Sequence, residues 1–494
     1  MHLPFDNSYA KLPERFFARI NPTPVAKPNL VRINSPLARH LGLDLNHLTS
    51  LEGIEIFSGN RVPEGSEPLA MAYAGHQFGS WVPQLGDGRA LLLGEIIDAN
   101  GLRCDIQLKG AGHTPFSRGG DGRAWIGPVL REYVVSEAMS ALCIPTTRAL
   151  VAVTTGETII REQPLPGAVL TRTASSHIRV GTFQFFAARQ DVQALRLLAD
   201  HVIDRHYPEV REAENPYLAL LETVIARQAT LIALWMGVGF IHGVMNTDNM
   251  SISGETIDYG PCAFMDGYDP DKVFSSIDHM GRYAYRKQPE IAHSNLACFA
   301  STILPLIDKN NETAIEEAKS ALNSFSSNFN VAWSSSLRKK VGFTEEQSGD
   351  FELVQDLLHR MAVNKSDFTL TFRRLCELPG RIEKTNAPLD SSVRVLFDNP
   401  SSFDEWAVKW RARLIREKQG DFERQSEMRA VNPSYIPRNH RIEQMITAAL
   451  RGDFRPFDKL IAVLSRPYDD QPQNAPYQTP PLPEEMVHKT FCGT

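Results

Sequence analysis

Short apolar runs separated by glycine-containing turns characterise the first part of the chain. Residues 90–97 and 103–109 are two such runs, and Asp98-Ala-Asn-Gly101 lies between them. Strand-like runs joined by a short turn that contains Gly are typical of a β-hairpin. We therefore predict that the chain is β-rich up to residue 165.

A different pattern begins after residue 165, where apolar residues recur at helical spacing over longer stretches. The predicted helices are 217–238, 295–304, 314–325, 351–363, 405–417 and 441–451. From residue 467 the chain carries six prolines, which favours an extended tail on the surface. The pattern predicts an α+β protein with three regions: an N-terminal extension and β-rich N-lobe (1–165), a helical C-lobe (166–466) and a proline-rich tail (467–494).

The segment 242–260 reads His-Gly-Val-Met-Asn-Thr-Asp-Asn-Met-Ser-Ile-Ser-Gly-Glu-Thr-Ile-Asp-Tyr-Gly. A protein-kinase catalytic loop places its base two residues after the His and five before a metal-ligating Asn, and an Asp-aromatic-Gly turn follows. Asn249 and Asp258 match the metal positions, but Val244 stands where the base belongs and cannot accept a proton. The nearest carboxylate is Asp248. The segment indicates a protein-kinase-like bilobal fold that either binds nucleotide without catalysis or has moved its base because the reaction has changed.

The β-rich region contains candidates for a phosphate site. Gly86 and Gly88 would let backbone amides approach a phosphate, and Arg89 adds positive charge. Lys109 ends the second run of the hairpin, where a kinase carries its phosphate-binding lysine. Two glycines also fit a hairpin turn without a ligand, and a lysine at a strand end also fits a solvent-facing charge.

A helix is predicted from Pro128 to Met139, because Pro suits the first helical position. Glu132 and Glu137 both lie on it. We expect Glu132 to pair with Lys109, since the partner should lie in the first turns of the helix, and Glu137 is the second candidate. The loop 110–127 that precedes the helix contains six glycines, and is either a flexible linker or a second ligand-wrapping loop. The second interpretation is favoured by Arg118, Asp121, Gly122 and Arg123.

Composition limits the function classes. The chain has 494 residues, of which 42% are apolar, and a net charge of −6, so bulk positive charge for nucleic acid is lacking. Six scattered cysteines without a CxxC pair fit a reducing compartment rather than a disulfide framework or zinc site. No signal peptide is visible, and the apolar stretch 231–241 is about half the length of a bilayer-spanning helix. We expect a soluble cytoplasmic protein without a membrane or nucleic-acid partner.

Five motifs closely resemble those of the selenoprotein O (SelO or YdiU) family. The resemblance runs almost from end to end of the chain. The motifs are Met71-Ala-Tyr-Ala-Gly-His-Gln-Phe-Gly79, Gln107-Leu-Lys-Gly-Ala-Gly-His-Thr-Pro-Phe-Ser-Arg118, His242-Gly-Val-Met-Asn-Thr-Asp-Asn-Met250, Ile257-Asp-Tyr-Gly-Pro261 and Asn432-Pro-Ser-Tyr-Ile-Pro-Arg-Asn439. The resemblance implies a kinase-like fold that binds ATP in a reversed orientation and transfers AMP to protein Ser, Thr or Tyr hydroxyls. Transfer of UMP is also described for the family.

The resemblance also implies roles for single residues. It assigns nucleotide binding to Gly86, Gly88, Arg89, Lys109, Asp121, Gly122 and Asp258, and phosphate binding to Arg172 and Arg179. Asp248 matches the proton acceptor, and Asn249 and Asp258 match the ligands of Mg²⁺ or Mn²⁺. Asn and Asp oxygens are the donors that such cations prefer. From the residues alone, the two arginines also fit surface charges.

Cys492 lies where the family often has a redox-active Cys or selenocysteine. Its expected partner segment, 267–278, contains no cysteine, and Phe274 stands near the expected place. We therefore do not expect disulfide control. Three functions remain open at this point: a protein adenylyltransferase, an atypical kinase that transfers the γ-phosphate, and a non-catalytic nucleotide-binding regulator.

Overall fold

The computed structural model describes residues 3–380 and 390–491. Its strands are β1 (Phe17–Arg19), β2 (Asn29–Ile33), β3 (Leu69–Met71), β4 (Gly75–Gln77), β5 (Ser80–Val82), β6 (Ala90–Ile97), β7 (Arg103–Lys109), β8 (Ala124–Trp125), β9 (Arg148–Ile160), β10 (Pro164–Ala174), β11 (Phe240–Ile241) and β12 (Ala263–Phe264). The main sheet has the order β1-β3-β6-β7-β10-β9-β2, and β8 pairs with β10. Its neighbouring strands are antiparallel.

The hairpin predicted from the apolar runs is present as β6 and β7. Ala90 lies opposite Lys109, and Ile97 lies opposite Arg103. A bulge between Leu92 and Gly94 shifts the register by one residue, as bulges do. The hairpin therefore carries Lys109 at its open end, beside the first residue of β6.

Helices form most of the chain after the main sheet. The helices are α1 (Ser35–His40), α2 (Leu45–Thr49), α3 (Leu51–Ser58), α4 (Ile126–Ala141), α5 (Val180–Ala187), α6 (Val192–His206), α7 (Pro216–Gly237), α8 (Gln288–Ile307), α9 (Asn311–Lys340), α10 (Asp350–Val363), α11 (Phe368–Leu375), α12 (Ser391–Arg394), α13 (Pro400–Leu414), α14 (Asp421–Val431), α15 (Asn439–Ala449) and α16 (Arg455–Leu464). Each predicted helix corresponds to one of them. Helix α4 begins at Ile126, two residues before the predicted start at Pro128.

Local sequence explains several helix starts. The Asn215 side chain accepts a hydrogen bond from the amide of Leu218, and Pro216 opens α7. Asn310 caps α9 by accepting from the amides of Glu312 and Thr313. A side-chain oxygen at this position satisfies amides that have no partner within the helix.

The predicted α+β class is confirmed, with a sheet in the N-terminal part and helices in the C-terminal part. Strand β10 runs through the predicted boundary at residue 165 and remains paired with β7 as far as Ala174. Buried side chains of both parts form one continuous apolar core. The division of the chain into three regions stays a prediction.

One helix among the described residues, Pro216–Gly237, is long and apolar enough to cross a membrane. More than half of its most apolar window is buried inside the protein, and core helices of soluble proteins meet the same criterion. Most of the C-terminal segment also lies within the described residues. Thr490 pairs with Ser275 in a parallel bridge, and its amide donates to the Phe274 carbonyl at 2.8 Å. Cys492 lies outside the described residues.

Candidate active site

Asp258 is the centre of a charged cluster between the sheet and the helical part. It follows a short segment after the 3₁₀ turn Thr247–Asn249, and its backbone has a φ of 62°. This left-handed conformation is uncommon for a residue other than Gly; it costs roughly 1 to 3 kcal/mol and persists only where the surroundings hold it. The contacts of the Asp258 carboxylate supply such a constraint.

Three cationic side chains bind the Asp258 carboxylate. Lys109 Nζ lies 2.8 Å from Oδ1, and Arg172 Nη1 lies 2.6 Å from the same oxygen. Arg179 Nη1 donates to Oδ2 at 2.7 Å. The structure therefore brings together four residues that the sequence analysis assigned to the nucleotide site.

The electrostatic balance keeps Asp258 ionised. Burial by itself would raise the pKa of Asp258, but Arg172, Lys109 and Arg179 together lower it well below its ordinary value. For Arg172, burial opposes the charged form, and the carboxylates of Asp258 and Glu132 nevertheless raise its pKa. Opposite charges within hydrogen-bonding distance produce shifts of this sign.

Glu132 is the partner of Lys109, as predicted. Its Oε2 accepts from Lys109 Nζ at 2.7 Å, and its Oε1 accepts from Arg172 Nη1 at 3.1 Å. The second candidate, Glu137, instead accepts from Arg148 at 2.7 Å and from Asn34 at 2.7 Å. The pair of Lys109 and Glu132 is the ion pair expected at the nucleotide site of a kinase-like fold.

Asp248 has a different environment from Asp258. The residue is 6% exposed, Oδ2 accepts from Gln77 Nε2 at 3.0 Å, and Oδ1 is buried with no hydrogen-bond partner within residues 3–380 and 390–491. Burial raises the pKa of Asp248 to about 6, although the Gln77 hydrogen bond and the nearby Arg179 charge act in the opposite direction. A carboxylate in such an environment can take up a proton near neutral pH.

Asn249 and Asp258 are the predicted metal ligands. The Asn249 amide nitrogen donates to the Val244 carbonyl at 3.0 Å, which leaves the amide oxygen as the group for a cation. Both residues offer hard oxygen donors, which fits Mg²⁺ or Mn²⁺. Within residues 3–380 and 390–491, no group of three or more His, Cys, Asp or Glu side chains is arranged to hold a metal. A metal here would therefore need phosphate oxygens or water as further ligands.

Gly86 and Gly88 lie where the loop 110–127 packs against the start of the hairpin. A Cβ atom on Gly86 would overlap the Phe116 ring, and one on Gly88 would lie 2.8 Å from the Phe116 carbonyl oxygen. The amides of Gly110 and Ala111 donate to the Arg89 carbonyl at 2.7 and 3.3 Å. The loop is thus fixed against the glycine turn, which argues against an unattached linker.

Asp121 and Gly122 lie at the outer side of this loop. Asp121 is paired with Arg161 through contacts of 2.8 and 3.0 Å, and it also accepts from the Arg123 amide. Gly122 has a φ of 66°, and its carbonyl accepts from the Gly112 amide at 3.0 Å. No contact of the described residues joins Asp121 to the Asp258 cluster, so its assignment to the nucleotide stays a prediction.

Three polar residues of the site were not predicted from the sequence. Gln107 accepts from Arg172 Nε at 2.7 Å and donates to Asp87 Oδ2 at 3.1 Å. Asp87 is 2% exposed, and one of its oxygens lies 3.7 Å from Arg179 Nη2. Gln77 is the donor to Asp248. Gln77 and Gln107 belong to quoted motifs, but nothing in their spacing shows that they face an arginine or a carboxylate.

The motif 432–439 supports the site from the helical part. Arg131, the neighbour of Glu132 on α4, donates to Asn439 Oδ1 at 2.9 Å. Arg438 is 1% exposed and binds Asp367 at 2.8 Å as well as Asp266, which follows β12. The motif therefore ties the helix that carries Glu132 to the chain segment that follows the Asp258 turn.

Comparison with known proteins defines the class of this α+β protein: it is an enzyme, a nucleotidyltransferase. The family model described as "Protein adenylyltransferase SelO" matches residues 1–465, and the chain belongs to this family.

The chain is similar over its whole length to proteins named "Protein nucleotidyltransferase YdiU". It is 62% identical over 495 residues to the one from Rhodopseudomonas palustris (strain BisB18), and the alignment covers 100% of both proteins. It is 61% identical over 495 residues to the one from Bradyrhizobium sp. (strain ORS 278), again with 100% of both covered. The relative from Rhizobium meliloti (strain 1021) is 60% identical over 491 residues, which is 99% of both.

Proposed function

We propose that the protein is a protein adenylyltransferase that transfers AMP from ATP to Ser, Thr or Tyr hydroxyls and releases pyrophosphate. The observation that carries the proposal is the convergence of Lys109, Arg172 and Arg179 on Asp258. In a kinase-like site, two additional arginines at this point favour binding of the most negative part of the nucleotide, the β- and γ-phosphates. The α-phosphate would then face Asp248.

The proposed reaction assigns the chemistry to the residues of the chain. The acceptor hydroxyl oxygen forms a bond to the α-phosphorus, the bond from that phosphorus to pyrophosphate breaks, and Asp248 accepts the hydroxyl proton. Lys109, Arg172 and Arg179 stabilise the charge of the leaving pyrophosphate, since such transfers depend mainly on positioning and charge neutralisation. Asn249 and Asp258 would hold Mg²⁺ or Mn²⁺, which supplies further neutralisation of the phosphates when bound.

The remaining assignments in the proposal depend on the family. Gly86, Gly88, Arg89, Asp121 and Gly122 would bind the nucleotide around the start of the hairpin. The resemblance also includes UMP transfer, so UTP is a second candidate substrate. We propose a cytoplasmic location with proteins as acceptors, and without nucleic-acid or membrane partners.

A double-label experiment tests the proposal. The purified protein is incubated with a protein extract and Mg²⁺ or Mn²⁺, with either [α-³²P]ATP or [γ-³²P]ATP. We expect label on protein only from [α-³²P]ATP, because the γ-phosphate leaves in pyrophosphate. Label only from [γ-³²P]ATP would overturn the proposal. A parallel incubation with [α-³²P]UTP measures nucleotide preference.

An atypical kinase is the second candidate function. The pair of Lys109 and Glu132 favours it, because the same pair orients ATP for γ-phosphate transfer in kinases. Val244 at the usual base position opposes it. Asp248→Ala tests both candidates, since transfer from either label should fall if Asp248 accepts the proton. Glu137→Gln is the control, because Glu137 is a carboxylate on the same helix as Glu132 but pairs with Arg148 instead of Lys109.

A further inference from the structure

The hairpin of β4 and β5 lies directly on the turn that carries Asp248. The His76 amide donates to Thr247 Oγ1 at 2.7 Å, and the Phe78 amide donates to Asn246 Oδ1 at 3.1 Å. Between these two backbone contacts, the Gln77 side chain reaches Asp248. The hairpin and the turn therefore meet through three consecutive residues on each side.

Only one oxygen of Asp248 is satisfied by this contact. Gln77 Nε2 donates to Oδ2 at 3.0 Å, whereas Oδ1 is buried and has no side-chain or backbone donor in the part of the chain that the structure describes. Buried acceptors are nearly always hydrogen-bonded, so an exception at a reactive group is an oxygen that can still accept from a donor on a ligand. The hydroxyl of a protein acceptor is such a donor.

Gly75 keeps the space beside this oxygen free of side-chain atoms. A Cβ atom at position 75 would lie 2.5 Å from Asp248 Oδ1 and 3.1 Å from Asp248 Cβ. The φ of Gly75 lies outside the left-handed range, so its backbone conformation does not require glycine. The close approach to Asp248 is thus the structural reason for a glycine at this position.

We propose that Gln77 is a positioning residue for the proton acceptor: it holds Asp248 Oδ2, so that Oδ1, next to Gly75, is the oxygen that receives the acceptor proton. The inference rests on the proposed function. In the transfer step the O–H bond of the acceptor breaks, its proton goes to Oδ1, and its oxygen bonds to the α-phosphorus while pyrophosphate leaves. Gln77 takes no proton and touches no phosphate.

The first test compares Gln77→Ala with Gln184→Ala in AMP transfer from [α-³²P]ATP. Gln184 supports the same hairpin through His76 Nδ1 at 2.9 Å, and no hydrogen bond joins it to Asp248 among the described contacts. We expect Gln77→Ala to lower kcat by about tenfold to a hundredfold, since small misplacements of a reacting group have effects of this size. The ATP KM should stay within about twofold, and Gln184→Ala should keep kcat within the same limit. A wild-type kcat in Gln77→Ala, or an equal loss in both variants, would overturn the proposal.

A double-mutant cycle separates positioning from general loosening of the hairpin. In the Asp248→Asn background, Gln77→Ala should lower the residual kcat no further, because the group that it positions has gone. Equal fold-losses in both backgrounds would refute the proposal. Thermal unfolding midpoints of all variants identify any that fail to fold.

Gly75→Ala gives an independent measurement from the same geometry. Its methyl group would occupy the space beside Oδ1, so we expect a loss in kcat/KM for the protein acceptor with unchanged ATP binding by calorimetry. Full activity of Gly75→Ala would contradict the role of Oδ1. If the wild type transfers no AMP, or Asp248→Asn matches the wild type, the proposed function itself fails. If Asp248→Asn is impaired and Gln77→Ala is normal, only the inference about Gln77 fails.

Discussion

Two carboxylates ten residues apart in the chain have opposite environments. Asp258 is bound by Lys109, Arg172 and Arg179, and its pKa lies well below the ordinary value. Among the residues that the structure describes, the Asp248 carboxylate has one neutral hydrogen-bond donor, on Oδ2, and none on Oδ1; burial raises its pKa to about 6. Environments that separate two carboxylates in this way commonly distinguish a permanent charge from a group that exchanges protons. The contrast supports the proposed roles of Asp258 as the permanent charge and Asp248 as the proton acceptor.

The largest expected effect on stability comes from replacing Asp258, the carboxylate that binds three cations. Asp258→Asn removes the negative charge that three buried or largely buried cations share, so it should lower the free energy of unfolding by about 3 to 5 kcal/mol. Urea denaturation without nucleotide measures it. AMP transfer should also fall by about a hundredfold or more, because the metal that would neutralise the phosphates loses its carboxylate ligand.

Glu137→Gln is the control that shows whether the loss of AMP transfer in Asp258→Asn is specific to the charged cluster. It removes a carboxylate of α4 that binds Arg148 and Asn34, so some stability should be lost while AMP transfer by the folded protein is retained. An Asp258→Asn variant with wild-type stability would show that the three cations do not depend on that charge.

Replacing Asp248 should change the free energy of unfolding in the opposite direction. Asp248→Asn replaces a poorly compensated buried charge by a neutral group of similar shape, so it should raise the free energy of unfolding at neutral pH by about 1 to 3 kcal/mol. The same variant should lose AMP transfer by about a hundredfold to ten-thousandfold. Parallel urea denaturation and transfer assays measure both. Destabilisation by Asp248→Asn would remove the contrast between the two carboxylates.

Arg172→Lys tests how far the compensation depends on geometry. Arg172 donates at once to Gln107, Glu132 and Asp258, and a lysine cannot reproduce these planar contacts. The unsatisfied partners should lower the free energy of unfolding by about 1 to 3 kcal/mol. The ATP KM should rise as well, and we would measure it by steady-state transfer. Equal stability and KM in the variant would mean that charge alone is sufficient.

Asp121→Ala should have the smallest effect on stability. Its pairing with Arg161 is exposed, so the loss should be about 0.2 to 1 kcal/mol. If Asp121 also binds the nucleotide, its removal should raise the ATP KM, which a transfer assay at varied ATP detects. An unchanged KM would confine the nucleotide contacts to the interior cluster.

The sequence predicted those parts of the fold that local patterns encode. The hairpin of β6 and β7 has the predicted bounds, because two apolar runs flank a glycine-containing turn. Helix α9 was predicted over 314–325 but extends to Lys340. Its second half is rich in Ser and Asn, which are weak helix formers. Phe325, Phe329 and Trp333 stack along one face at helical spacing and hold it against the core.

The site was predictable only where it follows the order of known motifs. The positions of Lys109 and Asp258 could be read from the strand end and from the Asp-Tyr-Gly turn. The contact of Gln77 with Asp248 joins residues 171 positions apart, and no spacing along the chain indicates it. The same limit applies to Asp87, whose role near Arg179 depends on how the sheet folds over the helical part.

Asp258 also acts as an internal counter-ion for the cations of its cluster. Without a nucleotide, the Asp258 carboxylate neutralises cations that would otherwise be buried with unbalanced charge. An incoming triphosphate with its metal would exchange partners with it, since the phosphates take the cations and the metal takes the carboxylate. A divalent metal offsets only part of the triphosphate charge, so nucleotide entry with the metal would add less negative charge to the interior than entry without it. Triphosphate and divalent metal are therefore expected to bind together rather than one after the other.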